Sequence, residues 1–100
     1  MTHARVWKFK PPVGREGEFE RAYSGLGHWA RLFEQAPGYS GTVLLRPAEA
    51  GGWWLTIDRW DTERHFDAFQ EEFGVEYRGL DRELEGLAGE EVFVGACEED

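Results

Sequence analysis

The chain has a single cysteine, Cys97, and no asparagine. One cysteine cannot form an internal disulfide, a CxxC pair or a zinc ribbon. Its sequence neighbours Glu98 and Glu99 offer no cation to activate the thiol, so Cys97 reads as a small strand residue. Basic residues are scarce, 11 Lys and Arg against 20 Asp and Glu, a net charge of −9. Nucleic acid would want a basic stripe, and anionic lipid a basic patch, and neither is present. No apolar stretch approaches the ~18 residues of a membrane span. No apolar run follows a basic N-terminal segment, so no secretory leader is expected, and a reducing cytoplasm is the expected location. GxGxxG and P-loop motifs are missing, and Gly25-Leu26-Gly27 is a chain break rather than a phosphate loop. Glu63, His65 and Asp67 stand two apart on a helical stretch and cannot face one ion, so no metal site is expected. No cofactor is expected either.

Large rings, by contrast, are plentiful. Five Trp, seven Phe and three Tyr in 100 residues exceed what a small two-layer core readily needs. Each buried ring removes roughly 150–250 Å² from water, so some are candidates for a pocket wall or a subunit interface. The length suits one domain, residues 1–100, small enough to gain from a partner.

Residues 5–10 (RVWKFK) alternate as a strand, with Trp7 and Phe9 on one face, and Pro11-Pro12 ends it. Over residues 15–35 the period lengthens. Phe19, Tyr23, Leu26, Trp29 and Phe33 form an apolar stripe of helical spacing, interrupted at Gly25 and Gly27 and stopped by Pro37-Gly38. Residues 39–46 and 53–60 read as strands of an antiparallel hairpin joined by residues 47–52 (PAEAGG). Asp61 and Thr62 suit an N-cap. The helix after them carries Phe66, Phe69 and Phe73, is expected to break at Gly74, and resumes through Tyr77, Leu80, Leu84 and Leu87. Residues 91–98 (EVFVGACE) form a last strand. The order is βαββαβ, a ferredoxin-like sandwich with both helical segments on one face of a four-stranded antiparallel sheet.

The other sheet face should then be polar, and it is not. Trp53, Leu55 and Ile57 oppose Trp54, Thr56 and Trp60. Val43 and Leu45 oppose Thr42 and Leu44, and Val92, Val94 and Ala96 oppose Phe93 and Cys97. One helix layer covers one face only, so the second face is expected to pair with a copy of the same chain.

Trp7-Lys8-Phe9, Phe19-Glu20-Arg21-Ala22-Tyr23, Trp29-Ala30-Arg31-Leu32-Phe33 and Pro37-Gly38-Tyr39 form a familiar series. It continues with Gly41-Thr42, Leu44-Leu45, Leu55-Thr56-Ile57-Asp58-Arg59-Trp60, Tyr77, Leu80-Asp81 and Gly95. Over nearly its whole length the chain resembles the antibiotic biosynthesis monooxygenase-like family of the dimeric α/β-barrel superfamily. The resemblance implies two ferredoxin-like subunits closing sheet to sheet, each with a pocket between helices and sheet. It also implies a range of activities: cofactor-free oxygenation of polyketide-derived aromatics, haem degradation and isomerisation. The haem-degrading branch uses a first-strand Asn and a His on the second long helix. Here the first strand offers Trp7 and Phe9, and His65 comes too early on its helix.

Candidate catalytic residues are Asp58, Arg59 and His65. Two charges on a half-buried strand need partners or solvent. They could polarise a substrate, or form a structural ion pair, and the strand pattern does not say which face each takes. His65 could move a proton near neutral pH or be a surface side chain. Trp29, Trp60, Tyr77 and Tyr23 are candidate ring-binding residues, with core packing as the alternative for each. His28 lies beside the Gly25/Gly27 break, and His3 is expected to be terminal and mobile. Two functions remain open: a cofactor-independent monooxygenase of a small aromatic or polyketide-like compound, or a non-catalytic dimeric module binding a small molecule or a protein.

Overall fold

The computed structural model describes all residues, 1–100. Strand β1 (Thr2–Lys10) leads into helices α1 (Glu16–Tyr23) and α2 (His28–Phe33), then strands β2 (Tyr39–Leu45) and β3 (Trp54–Trp60), helix α3 (Glu63–Glu83) and strand β4 (Glu90–Glu99). The four strands form one sheet in the order β2-β3-β1-β4, and every neighbouring pair is antiparallel. This is the expected ferredoxin-like arrangement.

The first helical stretch divides where the glycines stand. A side chain at Gly27 would collide with the carbonyls of Arg21 and Ala22, and one at Gly25 with that of Thr42. The expected break at Gly74 is milder. Phe73 leaves helical geometry (φ −111°, ψ 21°) and α3 continues beyond it as a kinked helix. Thr62 caps α3, its hydroxyl accepting from the His65 backbone N–H at 3.2 Å.

β1 begins at Thr2, earlier than alternation alone indicates, because β4 supplies a partner out to Glu99. His3 is therefore not a loose terminal residue. It is 1% exposed, and its Nδ1 lies 2.7 Å from Glu98 Oε2. β4 also departs from simple alternation. Gly95 pairs with Val6 and Phe93 with Trp7, so Val94 is an extra residue in a β-bulge. Before the bulge Phe93 and Glu91 share a face with Trp7 and Phe9, and after it Ala96 joins Arg5 on that same face. Ala96 is thus on the side of Phe93, not on that of Val92.

The core lies between sheet and helices. Phe9, Trp54 and Trp60 from the sheet meet Phe19, Ala22, Leu32, Phe33, Phe66 and Phe69 from the helices. On the opposite face Leu45, Val92 and Val94 remain 45%, 42% and 54% exposed. No helix is long and apolar enough to cross a membrane.

Candidate functional site

A cavity of about 140 Å³ opens between the sheet and the helix layer. Trp7 and Phe9 of β1 form its sheet side together with Thr56 and Asp58 of β3 and Thr42 of β2. Tyr23, Trp29 and Phe33 close it from α1 and α2, and Tyr77 from α3 beyond the Phe73 kink. The Trp29 and Tyr77 rings meet with centroids 4.9 Å apart, and Phe9 meets Tyr23 at 5.1 Å. Asp81 and Glu91, both exposed, border it from the end of α3 and the start of β4.

Asp58 is the buried carboxyl of this space. The sheet register places it between Arg5 of β1 and Thr42 of β2, on the helix-facing side. The Thr42 hydroxyl donates to Asp58 Oδ1 at 2.7 Å, and the Tyr39 hydroxyl lies 2.6 Å from Thr42 Oγ1. With Asp58 ionised, Thr42 must donate to it, so Tyr39 donates in turn to Thr42. Burial among rings raises the Asp58 pKa to about 6 despite that hydrogen bond and the nearby Arg5 charge. Burial also holds the phenols protonated, Tyr23 up to about 12 and Tyr77 upward too, with Asp81 and Asp58 adding to the Tyr77 shift. Near neutral pH the carboxyl can take a proton while the phenols keep theirs and act through hydrogen bonds. Trp29 is 9% exposed, and its indole N–H lies toward Tyr23, lowering that phenol's pKa against the effect of burial without completing a hydrogen bond.

The seven candidates separate. Asp58, Tyr23, Trp29 and Tyr77 come together at the cavity. Arg59, one residue on from Asp58, faces the opposite side of the sheet, where its Nε donates to Glu99 Oε1 at 2.9 Å. Trp60 is on the inner face but is 0% exposed, enclosed by Phe33, Tyr39, Phe66 and Phe69 outside the cavity. His65 lies at the start of α3, its Nδ1 2.8 Å from the Thr62 hydroxyl and its ring against Gly38. His28 is exposed on α2 and borders a separate outer groove. Arg5, rather than Arg59, is the cation beside Asp58. Its guanidinium is sandwiched 3.9 Å from the Phe66 centroid and 4.7 Å from that of Phe93, and burial lowers its pKa. Sequence reading passed over Arg5, Thr42, Asp81 and Glu91. The one usable signal was that Arg5 keeps phase with Trp7 and Phe9.

Among solved structures, a provisionally assigned antibiotic biosynthesis monooxygenase from Bordetella bronchiseptica is similar at 21% identity and a TM-score of 0.75, covering 99% of this chain and 97% of its own. SnoaB from Streptomyces nogalater, a cofactor-independent oxygenase, matches at 21% identity and a TM-score of 0.70, covering 98% and 95%. The heme-degrading protein Rv3592 from Mycobacterium tuberculosis matches at 26% identity and 0.57, covering 69% and 77%. No curated protein matches. The cavity here does not suit haem. At about 140 Å³ it is close to the roughly 150 Å³ that holds one benzene ring and below the roughly 300 Å³ where drug-sized pockets begin. No His, Cys or Met lines it to ligate iron, and its tyrosines are held protonated. The antibiotic biosynthesis monooxygenase family model matches residues 2–74, the stretch that supplies β1, α1, α2, β2, β3 and the first half of α3, and the chain belongs to that family.

Proposed function

We propose that this protein is a cofactor-independent monooxygenase of small aromatic or polyketide-like compounds, with Asp58 as its general base. The observation that carries the reading is a carboxyl with a pKa near 6, hydrogen-bonded by Thr42, inside a cavity walled by Trp7, Phe9, Trp29, Phe33 and Tyr77. One ring seats between those walls, and the rest of a larger polycycle emerges between Asp81 and Glu91. Asp58 removes a proton from an activated ring carbon or phenol. Tyr23 and Tyr77 donate hydrogen bonds to the oxyanion that forms, and the Arg5 charge favours it. The electron-rich anion reacts with dioxygen, which is the co-reactant and oxidant. A carbon–oxygen bond forms, giving a hydroperoxide. Loss of the remaining C–H proton and cleavage of the O–O bond yield a carbonyl and water. The balance is R₂CH₂ + O₂ → R₂CO + H₂O, and no outside reductant enters.

The same reading makes the active form a homodimer joined through the outer sheet face. The test is oxygen uptake with a panel of anthrones and dihydroxynaphthalenes in the presence of a chelator. Turnover is expected, and Asp58→Asn is expected to lower kcat by roughly 10²- to 10⁴-fold, the usual worth of a positioned base, with ligand affinity nearly unchanged. Wild-type turnover by Asp58→Asn would sink the assignment of the base. Tight ligand binding with no oxygen uptake across the panel would leave the non-catalytic binding module as the function.

A further inference from the structure

We propose that Asp81 and Glu91 make the mouth of the cavity a charge filter, admitting electroneutral or cationic aromatic ligands that carry hydrogen-bond donors and turning away anionic ones. The inference rests on the cavity being the ligand site. Asp81 comes from the end of α3 and Glu91 from β4, opposite Phe9, and both are exposed where they border the opening. Asp58 lies further in, so a ligand meets carboxylates at the entrance and again at the seat. No Lys, Arg or His lines the space. The two entrance carboxylates are close enough for charge to matter: burial first, then the Asp81 charge, raises the Glu91 pKa. Neither takes part in an ion pair.

Most of the nearby cations are engaged elsewhere. Arg5 is held between Phe66 and Phe93, and Lys8 and Lys10 lie over the Trp53 ring, while Arg82 borders the adjoining groove that Asp81 and Glu91 also line, so that two carboxylates face one cation there. An independent feature specifies the rest of the ligand. The Trp29 indole N–H is buried at the same cavity beside Tyr23, whose pKa it lowers, without completing a hydrogen bond there, and Asp58 Oδ1 alone is engaged by Thr42. A ligand oxygen suits the first, and an O–H or N–H donor suits the carboxylates. A neutral phenol or an aromatic amine has that complement, and an aromatic carboxylate does not.

The probes are 2-naphthol, 2-naphthylmethylamine and 2-naphthoate, titrated calorimetrically at low salt, where charge is least screened. The naphthoate is expected to bind at least about tenfold more weakly than the naphthol, a difference of roughly 1.4 kcal/mol. In Asp81→Asn/Glu91→Gln the gap should shrink to within about threefold, as expected when the like-charge opposition is gone. The control Glu71→Gln/Glu72→Gln removes the same charge from exposed positions of α3 and should leave the gap intact, separating the mouth from the overall charge of −9. Equal affinity for naphthol and naphthoate, a gap unmoved by the mouth variant, or a gap closed equally by the control would overturn the filter. The titrations are run without oxygen, so that they read binding alone. A charge ranking that holds beside a failed uptake assay removes catalysis alone, whereas absent binding of all three probes removes both.

Discussion

Asp58 is where one side chain decides most. Its folded pKa, about 6, lies above the ordinary 3.8, so the fold favours the protonated form. The stability tied to this group is fully present below pH 4 and is lost as pH rises through about 6. Asp58→Asn cannot ionise and escapes that loss. Between pH 4 and pH 8 its stability relative to wild type should rise by on the order of 2 kcal/mol, measured by urea unfolding. A pH-independent difference would mean that the carboxyl is unperturbed. Catalysis runs the other way, because the base must be ionised: kcat/KM should fall about tenfold per pH unit below pH 6. The sequence singled out Asp58 and Arg59 together, and strand alternation guarantees that neighbours part company. Which went inward depended on register with β1 and β2, a long-range property. Asp81 and Glu91 were invisible for a different reason. Two carboxylates among 20 acidic residues carry no local mark, and only the approach of α3 to β4 gives them a common opening. Trp60 misled because ring type alone does not separate a cavity wall from a core plug.

Elements were more legible, because period and capping are local. The order of strands and helices, the hairpin, the division of the first helix at Gly25 and Gly27, and the Thr62 cap all follow from short stretches of chain. Thr62→Ala should cost about 1 kcal/mol in chemical unfolding, the usual worth of an N-cap hydroxyl. It also frees the His65 ring, which Thr62 holds at 2.8 Å. Gly38 serves the turn between α2 and β2 at φ +89°, with the His65 ring packed where a Cβ would be. Gly38→Ala therefore meets both backbone strain and a collision. Its expected cost is on the order of 2 kcal/mol or more, read as a lowered denaturant midpoint. A near-neutral outcome would mean that the α3 start shifts freely away from the turn. Gly74 was harder to read. Tertiary packing carries α3 past it, and the deviation falls one residue earlier, at Phe73. The limits of β1 and β4 were also not local, since each terminal stretch is a strand because the other lies beside it.

On the scale of the molecule, the proposed pairing rests on the apolar outer sheet face. Leu55 and Ile57 occupy its centre on β3, between Val43 and Leu45 of β2 and Val6 and Lys8 of β1. Leu55→Lys/Ile57→Lys should convert a homodimer to a monomer in sedimentation at micromolar concentration, with the inner core and its near-ultraviolet circular dichroism retained. A wild-type chain that sediments as a monomer would refute pairing through this face. The bulge at Val94 has its own consequence for how relatives of this chain are compared. Removing that one residue would leave Phe93 opposite Trp7 and Glu91 opposite Phe9 in an unbroken strand, whereas ironing the bulge out with Val94 kept would slide the pairing by one, putting Val92 and Glu90 beneath the helices and sending Phe93 and Glu91 outside. An alignment with a relative lacking the bulge that puts the gap elsewhere in β4 would thus match inward-facing positions to outward-facing ones. In this strand the bulge absorbs a change of length by one residue, so kinship in β4 is better traced by counting outward from the bulge than by scoring residues along it.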